Sequence, residues 1–400
     1  SNIGFNLTMQ RRGLPIAYMA SLGNKLKFDL HDALRTFAKE ERVTAIGLYA
    51  ESISDPVAFE AAVGFARELG KPVVAFKTGR SEISKKIVVS HTKSLAGADE
   101  LIDALFKRAG VARVDSLEKL IESLKVLHVI GPLNGGRVGA MSTSGGDLSL
   151  LSDTMLGLGL SMPELSEAGI DRIRPTVHER IVLANPLDYQ MFDWNNEDRL
   201  VETFSAFLAE DFDISLCLLD YPRADKCDPS SWWGAERAFV RAAKQNGVSA
   251  GILATFSDTM PEPLAEQLVE DGIVPLAGAT AGLAGIQAAV DVGAFQALPA
   301  CEPLLPKREP DSSLVTRVCD EAESKASLAR YGVPVPESRV VSDIGEAVSA
   351  ARAIGYPVVV KALGIAHKTE VGGVMLNLET GDAVAEAAGQ MLKLGPRCLV

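Results

Sequence analysis

Short apolar runs alternating with longer amphipathic stretches constrain the fold of this chain more than any other feature. Thr44–Tyr49 (TAIGLY) is one such run, a helical pattern covers about Asp55 to Leu69, and Lys71–Lys77 (KPVVAFK) is the next run. A short segment that is apolar on both faces suits a strand buried on both sides, and a helix between two such strands makes them parallel. The pattern restarts at Val138, where GAMSTSGG reads as a strand and a glycine turn, followed by a helix over residues 147–157. Further strands are expected at Ile214–Leu219, Ala250–Thr255 and Val274–Ala277. The expected fold class is therefore α/β, with three-layer units whose parallel sheets carry helices on both faces. The charged amphipathic segment 116–128 is read as a connector between residues 1–115 and residues 129–300. The Pro-rich, charged stretch 301–313 (CEPLLPKREPDSS from Cys301) is the best linker. A third unit, 314–400, opens with a helix and then a strand over Pro357–Lys361.

Composition excludes several classes of function. The 400 residues are 47% hydrophobic and 23% charged, the balance of an ordinary globular chain. A net charge of -12 disfavours non-specific binding to nucleic acid or to an anionic membrane. No apolar run is long enough for a transmembrane helix and no signal-peptide layout is present. The five cysteines are scattered, without a CxxC pair. That usage fits free thiols in a reducing compartment, so a cytoplasmic protein is expected.

Four segments carry chemistry. In Lys77–Val114 a strand leads through Thr78-Gly79-Arg80-Ser81 into Ser90-His91-Thr92 and Ser94-Leu95-Ala96-Gly97, ahead of a helix. A neutral imidazole is nucleophilic near pH 7 and can hold a phosphoryl group, provided donors stabilise the anion and a partner fixes its tautomer. Glu51 follows the strand TAIGLYA, at the carboxyl edge where α/β proteins bind ligands. From there it could accept a hydrogen bond from His91. Ser142-Thr143-Ser144-Gly145-Gly146 joins a strand to a helix; its glycines let the backbone approach an anion, and the helix start offers unpaired N–H groups. It matches neither a Walker loop nor GxGxxG. Lastly, Lys361 closes the strand in GYPVVVK, followed by Ala366-His367-Lys368-Thr369-Glu370-Val371-Gly372-Gly373. A strand-end ammonium beside a glycine turn suits phosphate.

Together these strings resemble the acyl-CoA synthetases that form a nucleoside diphosphate, the superfamily of succinyl-CoA synthetase and ADP-forming acetate–CoA ligase. SLGNK, LYAES, KPVVAFKTGRSE, SHTKSLAGADE, STSGG, ANPLDY and YGVPVPESRVV…GYPVVVKALGIAHKTEVGGV carry the resemblance in order along nearly the whole chain. It implies two flavodoxin-like, succinyl-CoA synthetase-like domains followed by the start of an ATP-grasp domain. It makes His91 the phosphohistidine, Glu51 the carboxylate that orients it, and Thr92, Ser144, Gly145 and Gly146 the phosphate-binding residues. Lys361 becomes a nucleotide-binding residue, and His367 resembles a second histidine that relays phosphate. The implied reaction joins a carboxylic acid to CoA at the expense of ATP, with Mg2+, releasing ADP and phosphate through an acyl phosphate. Homo-oligomerisation, or fused or partner CoA-binding and ATP-grasp domains, is the implied assembly.

Two departures stand out. Lys93 replaces the glycine that usually follows SHT. Relative to the family pattern, the chain is expected to lack the upstream CoA-binding domain and the later part of the ATP-grasp domain. The alternative reading is a catalytically silent, ligase-like regulatory or scaffold module of a larger protein such as an acyltransferase fusion; retention of His91, Glu51 and His367 argues against it. A flavodoxin-like binding protein would leave the ATP-grasp string unexplained. Trp232-Trp233 and Tyr189 are expected to pack rather than line an acyl pocket, and the sequence does not specify the acid or the nucleotide base.

Overall fold

The apolar runs become strands because their residues are buried from both sides, Val74 and Ala75 completely so. The computed structural model describes residues 2–23, 28–81, 83–84, 99–299, 304, 319–365, 368 and 371–400. The chain divides into two units, Ser1–Pro306 and Lys307–Val400.

The first unit opens with α1 (Asn2–Thr8) and α2 (Leu30–Ala38), then β1 (Ile46–Ala50), α3 (Pro56–Glu68), β2 (Val73–Lys77), α4 (Asp99–Ala109) and β3 (Ala112–Val114). The strands form a parallel sheet in the order β1-β2-β3. Helix α3 starts where Asp55 accepts from Ala58 N at 2.9 Å and Pro56 fills the first turn. There follow α5 (Leu117–Val129), β4 (Val138–Ser142), α6 (Gly145–Thr154), α7 (Glu167–Ile173), β5 (Leu187–Asp188), α8 (Glu197–Leu208), β6 (Ile214–Leu218), α9 (Ser230–Asn246), β7 (Ala250–Ala254), α10 (Glu262–Glu270), β8 (Val274–Ala277) and α11 (Ala279–Gln296). These five strands make a second parallel sheet, ordered β5-β4-β6-β7-β8.

Helix α5 ties the two sheets together. One core holds Val74, Ala112 and Val114 from the first sheet with Val138, Ala140, Leu216, Leu253 and Leu276 from the second, and Leu120, Val126 and Leu127 of α5 belong to it. Two charged residues of α5 are enclosed: Glu122 and Lys125 are fully buried. Burial of charge is tolerated because each group is bonded. Lys125 Nζ reaches Glu122 Oε2 at 2.8 Å and the Arg12 carbonyl at 3.0 Å, while Arg12 Nη1 donates to Glu122 Oε1 at 3.1 Å. Helix α11 packs so closely on α5 that a Cβ at Gly285 would lie 2.8 Å from the Glu122 carbonyl carbon.

The second unit contains α12 (Glu321–Arg330), β9 (Val340–Val341), α13 (Ile344–Ile354), β10 (Val358–Ala362), β11 (Val374–Leu378), α14 (Gly381–Leu394) and β12 (Cys398–Leu399). Its sheet is antiparallel, ordered β11-β10-β12-β9. Ala347, Ala350 and Ala351 of α13 share a core with Val384, Ala387 and Ala388 of α14 over Val358 and Val360. Among the described residues, no helix is long and apolar enough to cross a membrane.

Candidate functional site

Three groups of residues bear on the expected chemistry, and the first lies at the carboxyl edge of the three-stranded sheet. Glu51 follows β1 directly and is half-buried. Lys77 closes β2 and is almost completely buried, its ammonium donating to the Thr78 carbonyl. Burial pushes the Lys77 ammonium down from its ordinary range. The charges of Asp99 and Glu51 oppose that shift, and Arg113 reinforces it. Asp99 begins α4, bonded to Arg113 Nη2 at 2.6 Å and facing Arg80 Nε at 3.5 Å. Burial works against its ionisation, but the Arg113 hydrogen bond and the charges of Arg113, Arg80 and Lys77 hold this carboxyl below its usual range. Residues on both sides of the segment 85–98 are thus joined by ion pairs. A cleft of about 440 Å³ opens here, lined by Arg80, Asp99, Asp103, Arg113, Lys119 and Asp291 among others. His91 and Thr92, with Lys93, lie outside the described residues.

The second group lies at the carboxyl end of β4. In the sheet, β4 has β5 on one side and β6 on the other, so the strand order reverses there. Such switch points leave a crevice outside the carboxyl ends of the strands. Ser142, Thr143 and Ser144 lead directly from β4 into α6. Ser144 is its N-cap, accepting from Asp147 N at 3.3 Å, and its own N–H donates to Ser142 Oγ at 3.1 Å. The helix begins at Gly145, two residues ahead of the sequence-based expectation, because this cap takes effect before the apolar periodicity starts. A Cβ at Gly145 would come within 3.2 Å of Asp188 Oδ2. Asp188 ends β5, and its Oδ1 accepts from Gln190 N at 3.1 Å. Asn185 pins this neighbouring segment to β4, donating to the Val138 and Pro163 carbonyls at 2.9 Å and accepting from Ala140 N at 3.0 Å. Sequence reasoning noted ANPLDY as a string but missed Asp188 as a crevice residue; its position at a strand end was the available signal. Tyr189 is buried against Phe204, ring centroids 5.0 Å apart, and Trp232 packs edge-on to Trp194 at 5.9 Å.

The third group belongs to the second unit. Lys361 lies on β10, and its Nζ meets Glu321 Oε1 at 2.7 Å. Lys325 approaches the same oxygen at 3.0 Å, and Lys368 Nζ meets Oε2 at 3.0 Å. Burial opposes ionisation of Glu321, but the hydrogen bonds from Lys361, Lys325 and Lys368 prevail and bring its carboxyl down to about 2. Glu321 was not singled out from the sequence, although an acid in a first helical turn four residues before a lysine is a legible pair. His367 lies outside the described residues. Among the described residues, no group of three or more His, Cys, Asp or Glu side chains is disposed to hold a metal ion.

Residues 4–127 match the succinyl-CoA ligase like flavodoxin domain, and residues 314–395 match an ATP-grasp domain. In these two segments the chain is similar to NDP-forming acyl-CoA synthetases. Among curated relatives, this synthetase-like chain is 27% identical to a trans-feruloyl-CoA synthase from an unknown prokaryotic organism, over 94% of the chain and 53% of the relative. It is 26% identical to the ADP-forming 4-hydroxybutyrate–CoA ligase of Nitrosopumilus maritimus, over 96% of the chain and 55% of the relative. The ADP-forming acetate–CoA ligase I of Archaeoglobus fulgidus is 26% identical, over 93% of the chain and 54% of the relative. The chain therefore spans about half the length of the curated relatives it matches. Among solved structures, the acetyl-coenzyme A synthetase 1 of Ca. Korarchaeum cryptofilum in complex with phosphate and ADP has a similar fold. Its TM-score is 0.63 at 22% identity, covering 74% of this chain and 64% of that one.

Proposed function

We propose that this chain is the phosphoryl-transfer centre of an acid–thiol ligase that makes acyl-CoA from a carboxylic acid, CoA and ATP, releasing ADP and phosphate. The observation that carries the reading is the joint presence, in one chain, of a succinyl-CoA ligase like flavodoxin domain and an ATP-grasp domain. The string SHTKSLAGADE lies inside the first of them. Ligases for three different acids among the relatives support the reaction class and leave the acid open.

In this mechanism His91 is the nucleophile. The γ-phosphoryl group of ATP passes first to His367, breaking the bond to the bridging oxygen and releasing ADP, and one imidazole nitrogen of His91 then attacks that phosphorus and displaces His367. The Glu51 carboxylate accepts a hydrogen bond from the ring N–H of His91, which leaves the lone pair of the other ring nitrogen to attack phosphorus. The phosphoryl group then passes from His91 to a carboxylate oxygen of the acid, giving an acyl phosphate. Attack by the CoA thiolate on its carbonyl carbon expels phosphate. The start of α6 at Ser144, Gly145 and Gly146 offers backbone N–H groups to the phosphoryl oxygens, and Thr92 adds a hydroxyl. Lys361 binds the nucleotide phosphates, and His367 relays phosphate between distant sites. Mg2+ supplies charge neutralisation of the nucleotide when bound.

The test is incubation of the full-length protein with γ-labelled ATP and Mg2+. Acid-labile, base-stable label should appear, diminish in His91→Ala, and discharge with the cognate acid plus CoA. Absence of such label on the wild type, or undiminished label in His91→Ala, refutes the phosphohistidine. Glu51→Ala should label more slowly while keeping the wild-type unfolding midpoint.

A further inference from the structure

Three lysines converge on one carboxylate in the unit Lys307–Val400. Glu321 is the first residue of α12; Lys325 lies one turn along the same helix, Lys361 is on β10, and Lys368 precedes β11. Their ammonium nitrogens lie 3.0, 2.7 and 3.0 Å from Glu321 carboxylate oxygens. Two nitrogens bonded to one oxygen are no more than about 6 Å apart, so the ammonium groups crowd one another. The adjacent acids are engaged elsewhere: Asp320 Oδ2 meets Arg397 Nη2 at 3.1 Å, and Glu323 Oε2 accepts from Asp320 N at 3.1 Å.

Three ammonium groups and one carboxylate leave this cluster, among the described residues, with a surplus of positive charge. A carboxylate that needs only to be held in place is satisfied by one cation. The second and third add mutual repulsion that a single negative charge does not offset. Each ammonium uses one donor on Glu321 and retains two. The side chains of Lys325, Lys361 and Lys368 keep exposures of 23%, 30% and 18%, so these donors are within reach of solvent. Surplus charge, unspent donors and partial exposure at one point describe a receptor for a compact polyanion.

We propose that Lys325, Lys361 and Lys368 form one cradle for a polyphosphate chain, and that Glu321 is the positioning residue that gathers their ammonium groups. The proposal rests on the reading of Lys361 as a nucleotide-binding residue and adds Lys325, Lys368 and Glu321 to that site. The probe is tripolyphosphate, which presents the phosphate chain without base or ribose, titrated calorimetrically into the 400-residue chain. Lys325→Ala, Lys361→Ala and Lys368→Ala should each weaken binding about tenfold, the loss expected for one charge-assisted hydrogen bond. Glu321→Gln separates positioning from simple electrostatics. Removing a negative charge beside an anion site should tighten binding if the carboxylate merely repels the ligand. Loss of the gathering point should weaken it several-fold. Equal or tighter binding in Glu321→Gln overturns the positioning role. Wild-type affinity in Lys325→Ala and Lys368→Ala, with only Lys361→Ala weakened, overturns the cradle while leaving Lys361 as a nucleotide ligand. The converse pattern removes Lys361 from both readings, and no binding by the wild type refutes both.

Discussion

Replacing Glu122 by Gln tests whether the buried charges on α5 hold the first unit together. Glu122 is fully buried and both its oxygens face donors alone: Oε2 meets Lys125 Nζ at 2.8 Å and Ala277 N at 3.0 Å, and Oε1 meets Arg12 Nη1 at 3.1 Å. A glutamine must turn its NH2 group towards one of these sides. In one orientation it opposes Lys125 and Ala277; in the other it opposes Arg12. Either way a donor faces a donor, and the two cations lose their counter-charge. Burial already pushes the Lys125 ammonium down, with Glu122 as its main support. Removing one partner of a buried pair costs about 3 to 5 kcal/mol, and the amide oxygen that remains an acceptor argues for the lower end. All three tryptophans (Trp194, Trp232, Trp233) belong to the first unit, so urea unfolding followed by tryptophan fluorescence reports on that unit. The expected result is a loss of about 3 kcal/mol in Glu122→Gln and a partial recovery in Glu122→Gln/Lys125→Met, where the orphaned ammonium is removed as well. A loss under about 1 kcal/mol, or a double variant weaker than the single by the full cost of Lys125→Met, would refute the account.

Other expectations follow from single contacts. A Cβ at Gly293 would lie 1.8 Å from the Leu133 carbonyl oxygen, so Gly293→Ala should lower the unfolding free energy by about 2 kcal/mol or more in the same urea assay. The Glu321 carboxyl, ordinarily near 4.5, is held at about 2 in the folded chain, so its contribution is fully present above pH 4.5 and is lost as pH falls towards 2. Acid melting curves of the second unit should accordingly be flatter in Glu321→Gln than in the wild type. Burial pushes the Cys217 thiol up to about 12, and Cys227 and Cys319 are exposed. Iodoacetamide at pH 8 should therefore alkylate Cys227 and Cys319 in the native protein and spare Cys217, as peptide mass mapping would report.

Much of the architecture was legible in the sequence because buried parallel strands leave a strong local mark. The runs around Val73–Lys77, Ile214–Leu218, Ala250–Ala254 and Val274–Ala277 became strands within a residue or two of expectation. Brief strands escaped: Ala112–Val114 and Leu187–Asp188 are too short to show a period, and only pairing with their neighbours defines them. The segment over Leu117–Val129 reads as a charged amphipathic connector, and nothing local marks its Glu122 and Lys125 as buried. Its burial depends on Arg12 and the end of β8, partners more than a hundred residues away.

The same division runs through the candidate site. By itself the sequence determined which groups the proposed function rests on, since an imidazole at His91, a carboxylate at Glu51, a glycine-rich helix start at Gly145-Gly146 and an ammonium at Lys361 are properties of residue type and local order. Tertiary structure alone decided what surrounds them. Strand order put Ser144 at the point where the five-stranded sheet reverses and brought Asp188 beside Gly145; helix packing set Glu321 among Lys325, Lys361 and Lys368. Local preferences act over a turn or a strand, whereas the charge and geometry of a site are sums over segments that only the folded chain brings within hydrogen-bonding distance.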